Sequence, residues 1–359
     1  MITISLCMIV KNEEDVLARC LDSVKEIADE IIIVDTGSID KTKEIAKVYT
    51  DKIYDFIWIN DFSAARNYAY SKATKEYILW LDADDIIFDE DIEKFKQLKV
   101  SLDEKVDIVM MKYNVGFDID GNVTLSYYRE RLSRRTLNCQ WKEPVHEYLE
   151  ISGNIINTDI CIAHRKEHVA TPGRNLILYK SFISKGKKLS PRGLYYYARE
   201  LYYNEKYNEA IRYFNKFLDT EQGWIEDNIN ACFTLSICYN NLKDNKNRLK
   251  ILLKSFEYDN PRAEICCQLG YFYFDKMEYE KAIFWYKLAT EIKKPEDGWG
   301  FISHDYFGYI PYIQLCVCYD KLGNIEEAIK CNNKAAEFKP NADAISYNKK
   351  YFESISKKS

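Results

Sequence analysis

The sequence has no apolar run long enough to cross a membrane; its longer apolar stretches are strand-sized. The first ten residues are apolar but lead into Lys11-Asn12-Glu13-Glu14 without a small-residue cleavage site, so no signal peptide is expected there. Excess positive charge is also missing. A net charge of −5 gives no general attraction to nucleic acid or to an anionic membrane. The eleven cysteines, an odd number, include no pairs at zinc-finger spacing. Several of them (Cys232, Cys238, Cys266, Cys316 and Cys318) fall in apolar helical stretches, which predicts buried, reduced thiols in a cytoplasmic protein. The glycine-rich basic loop that cradles a triphosphate is lacking too, and nucleotidyl transfer is set aside with it.

What is present is enough material for two domains: 359 residues, 47% of them hydrophobic and 30% charged. Up to about residue 155 strands alternate with helices. Ile2–Val10, Glu30–Asp35, Ile53–Trp58 and Tyr77–Leu81 read as strands, and Glu13–Ile27, Lys41–Tyr49 and Phe62–Ala73 as helices. Continuous apolar strands in such alternation predict a mostly parallel sheet covered by helices on both faces. Ligands in these sheets bind outside the carboxyl ends of the strands. Four polar clusters fall there: Lys11–Glu13, Asp35–Ser38, Asn60–Phe62 and Asp82–Asp85.

From about Gly193 the periodicity becomes helical and a longer repeat appears. Leu269-Gly270-x-x-Tyr273 with Ala282, Tyr286 and Ala289 aligns with Leu315-Cys316-x-x-Tyr319, Ala328, Asn332 and Ala335. Tyr197-Ala198-x-x-Leu201 with Ala210 and Phe214 fits the same frame, and Leu235-Ser236-x-x-Tyr239 fits with Arg248 where a small residue is expected. The starts are offset by 38, 34 and 46 residues. These positions resemble a tetratricopeptide array, in which small residues let paired helices approach and aromatics fill the grooves. Four units suffice for a stable solenoid. The expected organisation is an α/β domain at 1–170, a linker at 171–192, repeats at 193–345 and a tail at 346–359.

Asp82-Ala83-Asp84 ends the apolar run Tyr77–Leu81 and puts two carboxylates on one side of a strand end, with Ala83 turned away. That arrangement suits a hard divalent cation that keeps positions for substrate phosphates. Taken alone, such a pair is more often a solvated turn. Together with Met8–Glu13, Ile33–Thr42 and Asp61–Asn67 it resembles the family 2 glycosyltransferases, which have the GT-A fold. The resemblance implies nucleotide-sugar binding by Val10, Asn12, Glu13, Asp35, Ser38, Asp61, Arg66, Asp82 and Ala83, and metal ligation by Asp84. It leaves Asp85 as a capping, secondary acidic or merely solvated residue.

Trp141-Lys142-Glu143-Pro144-Val145-His146-Glu147 resembles a segment of the bacterial branch of that family that carries tetratricopeptide repeats and includes bacteriocin peptide S-glycosyltransferases. An inverting transfer needs a base for the acceptor's proton. Glu147 is the candidate, with Glu143 as competitor and His146 as an acceptor-positioning residue or a metal ligand. Ile162-Ala163-His164 resembles a later metal-ligand segment of the family, although Arg165-Lys166 replaces its usual continuation. The basic stretch Arg165, Lys166, His168 and Arg174 reads either as a lid over pyrophosphate or as a solvated linker.

These implications combine into a metal-dependent (Mn2+ or Mg2+) inverting transferase using a UDP-sugar. The acceptor would be a peptide or protein held partly by the repeats, with a homodimer through their outer helices left open. Surface-polysaccharide assembly and a non-catalytic repeat scaffold are the alternatives.

Overall fold

The computed structural model describes residues 1–167, 172–295 and 298–356. It divides into two compact units, Met1–Gly186 with Asp297–Gly300, and Lys187–Glu296 with Phe301–Ser359.

The first unit contains strands β1 (Ile4–Val10), β2 (Glu30–Asp35), β3 (Ile53–Asp55), β4 (Tyr77–Trp80), β5 (Asp85–Ile86), β6 (Ile108–Phe117), β7 (Val123–Arg134), β8 (Gln140–Lys142), β9 (Tyr148–Glu150) and β10 (Ile155–His164). Its helices are α1 (Leu17–Val24), α2 (Thr42–Tyr49), α3 (Phe62–Tyr70), α4 (Asp89–Ser101) and α5 (Arg174–Ser184). The main sheet runs β3-β2-β1-β4-β7-β6-β10-β5, and β8 pairs with β9 separately. Strands β1 to β4 are mutually parallel, and β7 runs antiparallel to both β4 and β6.

Strand alternation explains why both faces are covered. Ile4, Leu6, Met8 and Val10 of β1 pack on Leu17, Cys20, Leu21 and Val24 of α1. Cys7, with Ile32, Val34, Ile78 and Trp80, faces Ala69 and Tyr70 of α3 and Trp141 of β8. The sequence expectation of a mostly parallel, two-faced sheet holds. Helix α1 starts four residues later than the periodicity predicts: residues 14–16 form a turn closed by the Leu17 amide on the Glu13 carbonyl at 2.9 Å, and Val16 has a non-helical φ of −122°.

The second unit is helical: α6 (Pro191–Tyr203), α7 (Tyr207–Leu218), α8 (Ile225–Asn241), α9 (Asn245–Lys254), α10 (Ala263–Asp275), α11 (Tyr279–Glu291), α12 (Tyr309–Lys321), α13 (Ile325–Phe338) and α14 (Asp343–Ser356). Consecutive helices pair, and Ala198, Ala210, Ala282 and Ala328 are fully buried where they meet. At Gly270 a Cβ would lie 2.7 Å from the Tyr286 ring, so only glycine permits the observed approach of α10 and α11. In the second pair buried Arg248 replaces the small residue and is held by Asp275 and Asn240, each at 2.7 Å.

The turns between paired helices repeat one geometry. Glu205, Lys243, Met277 and Gly323 have φ of 58°, 58°, 59° and 75°, and stand 38, 34 and 46 residues apart, the offsets read from the sequence. The amides of Lys206, Asp244, Glu278 and Asn324 return to the carbonyls of Leu201, Tyr239, Tyr273 and Tyr319 at 2.9–3.0 Å. This closes each first helix with a left-handed turn that satisfies an otherwise orphaned carbonyl.

Candidate active site

The polar clusters meet at the carboxyl edge of β1, β2 and β4. After β1, the Asn12 amide donates to Ser38 Oγ at 2.9 Å, and Asn12 Oδ1 accepts from the Ile39 amide at 2.9 Å. The Glu13 amide donates to Thr42 Oγ1 at 2.7 Å, so the first and second clusters interlock. Buried Asp35 accepts the amides of Gly37 and Ser38 at 3.1 Å, which shapes the turn after β2. Asp61 caps α3 by accepting from the Ala64 amide at 3.1 Å and from Ser63 Oγ at 2.7 Å. That cap aims the first turn of α3 and with it Arg66.

Arg66 is buried and joins two segments far apart in sequence. Its Nη2 donates to Asp82 Oδ1 at 2.6 Å and its Nε to Glu147 Oε1 at 2.7 Å. The guanidinium lies 4.9 Å from the Trp80 ring centroid and 4.8 Å from that of Trp141. Asn67, one residue on, makes a reciprocal pair with the backbone of Trp141: Nδ2 to the carbonyl at 3.0 Å, and the amide to Oδ1 at 2.8 Å. Further ties fix the Glu143–Glu147 loop. The Phe62 amide donates to the Pro144 carbonyl at 3.0 Å, Tyr179 Oη to the Val145 carbonyl at 3.2 Å, and the Leu149 amide to Glu130 Oε1 at 3.0 Å. Glu143 and His146 hold φ of 69° and 54°, a conformation side-chain-bearing residues adopt at a cost of about 1–3 kcal/mol. The His146 ring stacks on Tyr179 with centroids 6.4 Å apart.

Beyond β4, Ala83 packs into the core while the side chains of Asp82 and Asp84 stay 33% and 23% exposed. Burial works against the charge of Asp82, but Arg66 and then Arg131 more than offset it and hold the carboxyl below the usual carboxylate range. His164 ends β10 opposite Asp85 of β5. Its Nδ1 lies 3.2 Å from Asp84 Oδ1, 3.2 Å from Asp85 Oδ1 and 2.9 Å from Tyr113 Oη. Burial disfavours the imidazolium, yet hydrogen bonding to Asp84 and Asp85 outweighs it and lifts the ring to about 9.

Ligand atoms of Asp84, Asp85 and His164 lie within 4.8 Å of one another. Oxygen donors with one imidazole fit Mn2+ or Mg2+ by chemistry.

One of the alternatives left open by the sequence drops out. Asp85 is not solvated: it is fully buried and bonded to Arg131, Tyr113 and His164. In the basic stretch, Arg165 lies 3.7 Å from the Phe117 ring centroid and Arg174 lies 5.4 Å from that of Phe62, while Lys166 is exposed and His168 falls outside the described residues. Residues that sequence reasoning passed over sit on β7 and β6. Arg129 and Arg131 join Arg66 around the Trp80 ring, at 4.6 Å and 3.9 Å, and Tyr113 flanks Arg131 at 4.2 Å. The charged run Arg129-Glu130-Arg131 beside Tyr127, Tyr128 and Leu132 of a strand was the available signal.

Residues 5–150 match the family model described as glycosyl transferase family 2, and residues 263–295 and 311–342 match that of the tetratricopeptide repeat. The chain is similar to a tetratricopeptide-repeat-containing protein of Synechococcus elongatus, 38% identical over 42% of this chain and 36% of that protein. It is also similar to the SPbeta prophage-derived glycosyltransferase SunS of Bacillus subtilis, 28% identical over 75% of this chain and 65% of that protein. It thus spans about a third and just under two thirds of the length of these relatives. Among solved structures, a Mycobacterium tuberculosis glucosyl-3-phosphoglycerate synthase with Mn2+ and UDP-glucose aligns at 15% identity over 53% of this chain and 81% of that chain, with a TM-score of 0.36, too low to extend any property.

Proposed function

We propose that this chain, which carries a family 2 glycosyltransferase domain followed by tetratricopeptide repeats, is a metal-dependent inverting transferase. In this reading it moves a sugar from a UDP-sugar to a peptide or protein acceptor. The observation that carries the reading is the Arg66 bridge, which brings the Asp82–Asp84 segment and Glu147 to one place. A donor-side acidic pair and an acceptor-side base have to be adjacent for attack at an anomeric carbon.

The clusters after β1 and β2 hold the nucleoside, with Asp35, Asn12 and Ser38 setting the loop backbone. Asp84 and His164 hold Mn2+ or Mg2+, which when bound offsets the charge of the departing diphosphate. Arg66 fixes the orientation of Glu147 through Oε1, and Glu147 accepts the proton of the attacking acceptor group. His146, stacked on Tyr179, lines the acceptor side. The repeats supply the extended surface that such arrays use for partners. Eleven cysteines, all free, agree with a reducing cytoplasmic setting.

The test is UDP release from a panel of UDP-sugars with Mn2+, comparing wild type with Asp84→Ala and Glu147→Gln. One sugar should be consumed, with turnover lost in Asp84→Ala and lowered about 10²–10⁴-fold in Glu147→Gln. No turnover and no calorimetric binding of UDP by the wild type would overturn the reading.

A further inference from the structure

Asp84, Asp85 and His164 form one cluster, but their surroundings differ in kind. Asp85 is fully buried, and each of its oxygens is already engaged twice. Oδ2 accepts from Arg131 Nη1 at 2.9 Å and from the Asp82 amide at 3.0 Å. Oδ1 accepts from Tyr113 Oη at 2.7 Å and lies 3.2 Å from His164 Nδ1. An ionised carboxylate offers about four lone-pair sites, so this one is saturated. A divalent cation on Oδ2 would also face the Arg131 guanidinium. Asp84 is engaged through Oδ1, 3.2 Å from the same His164 Nδ1, but it has no guanidinium or tyrosine ion-paired or hydrogen-bonded to it among the described residues and its side chain is partly exposed.

Among side chains, Arg131 hydrogen-bonds to Asp85. It is fully buried between the rings of Trp80 and Tyr113, donates through Nη1 to Asp85 and the Trp80 carbonyl, and leaves Nε and Nη2 without hydrogen bonds. Three unmade buried N–H donors are costly, so the position is held against that cost by the carboxylate and the two ring faces. The β5–β10 ladder then sets His164 directly across from Asp85, which makes their pairing a property of backbone register.

We propose that Asp85, clamped by Arg131 and Tyr113, is the orienting partner of His164 and not a metal ligand, leaving Asp84 and the far ring nitrogen of His164 to face the cation. This rests on the metal-dependent reading above. Asp85 and Arg131 are positioning residues: they act on the cation only through the imidazole.

A double-mutant cycle on the full chain tests this, with Mn2+ affinity read by electron paramagnetic resonance in the presence of UDP. Asp85→Asn should weaken Mn2+ about 10–100-fold in the wild-type background, the range for an outer partner of a metal-bound histidine. In the His164→Ala background the same change should cost less than about threefold, since an effect routed through the ring vanishes with it. An equal loss in both backgrounds would show Asp85 touching the metal and overturn the proposal. Because Asp85→Asn strands a buried guanidinium, Asp85→Asn/Arg131→Met is measured beside it and should reproduce the same loss.

If wild type binds no Mn2+ at all, the metal reading fails, and the pairing is still decided by the imidazole N–H proton resonance of His164, one of four histidines. That hydrogen-bonded signal should persist in Asp84→Leu and vanish in Asp85→Leu/Arg131→Met, which leave no side-chain acceptor at the substituted position. Its persistence in Asp85→Leu/Arg131→Met would overturn the pairing.

Discussion

Replacing Arg66 by methionine removes the guanidinium from between Asp82 and Glu147 and keeps most of its volume between Trp80 and Trp141. Removing one partner of a buried ion pair typically costs about 3–5 kcal/mol, because the other charge is left uncompensated. Here Glu147 is 13% exposed but Asp82 is 33% exposed, so water recovers part of the loss and the lower end applies. Loss of two cation–π contacts adds about 1 kcal/mol, part of which the methionine sulfur restores against the rings. The total is about 3 kcal/mol. Urea unfolding followed by tryptophan fluorescence reads it, since Trp80 and Trp141 both lie against the substituted side chain. Arg66→Met/Asp82→Asn/Glu147→Gln should regain at least half of that loss, because the stranded charges are gone. A loss under about 1 kcal/mol for Arg66→Met, or no recovery in the triple variant, would refute the charge-bridge argument.

Two further outcomes concern the repeat array. Asp227 of α8 is buried, and its carboxyl is raised to about 6 by burial, which Arg192 and Arg199 only partly counter. Its folded value thus lies above the unfolded one of about 3.9, so ionisation weakens the fold as pH rises through 6, by up to about 3 kcal/mol. Asp227→Asn should raise unfolding free energy by that order at pH 7.5 and change it little near pH 4; an equal effect at both would show that the charge is not the cause. Gly270→Ala forces a methyl against the Tyr286 ring and should cost about 1–3 kcal/mol in a thermal melt of the array, with an unchanged melt counting against close packing there.

How much of this was legible in the sequence depended on whether the information was local. Strands β1, β2 and β4 are buried on both faces, and their unbroken apolar runs announced them. The repeat frame was legible because each helix pair closes on the same turn, so the spacing survived even where Arg248 broke the small-residue pattern. The helix after Glu13 was overextended because amphipathic periodicity does not distinguish a helix from the turn at 14–16 that precedes it. Long-range pairings were out of reach. Asp85 meets His164 across 79 positions and Arg131 across 46, and no local feature marks a strand-end aspartate as buried. Arg66 was readable as a site residue by resemblance, but its hold on Glu147, 81 positions away, is purely tertiary.

The recurring turns of the array have a consequence for how it could be tuned. Of Glu205, Lys243, Met277 and Gly323, only the last is the residue type that adopts positive φ freely. Three of the four joints therefore hold a conformation disfavoured by about 1 kcal/mol or more each, secured by the returning amide bond. Rigidity and recognition are consequently encoded at different positions. Glycine at those three joints would relieve that strain without altering a single helix face, so the stability of the array can be engineered independently of whatever surface it offers a partner.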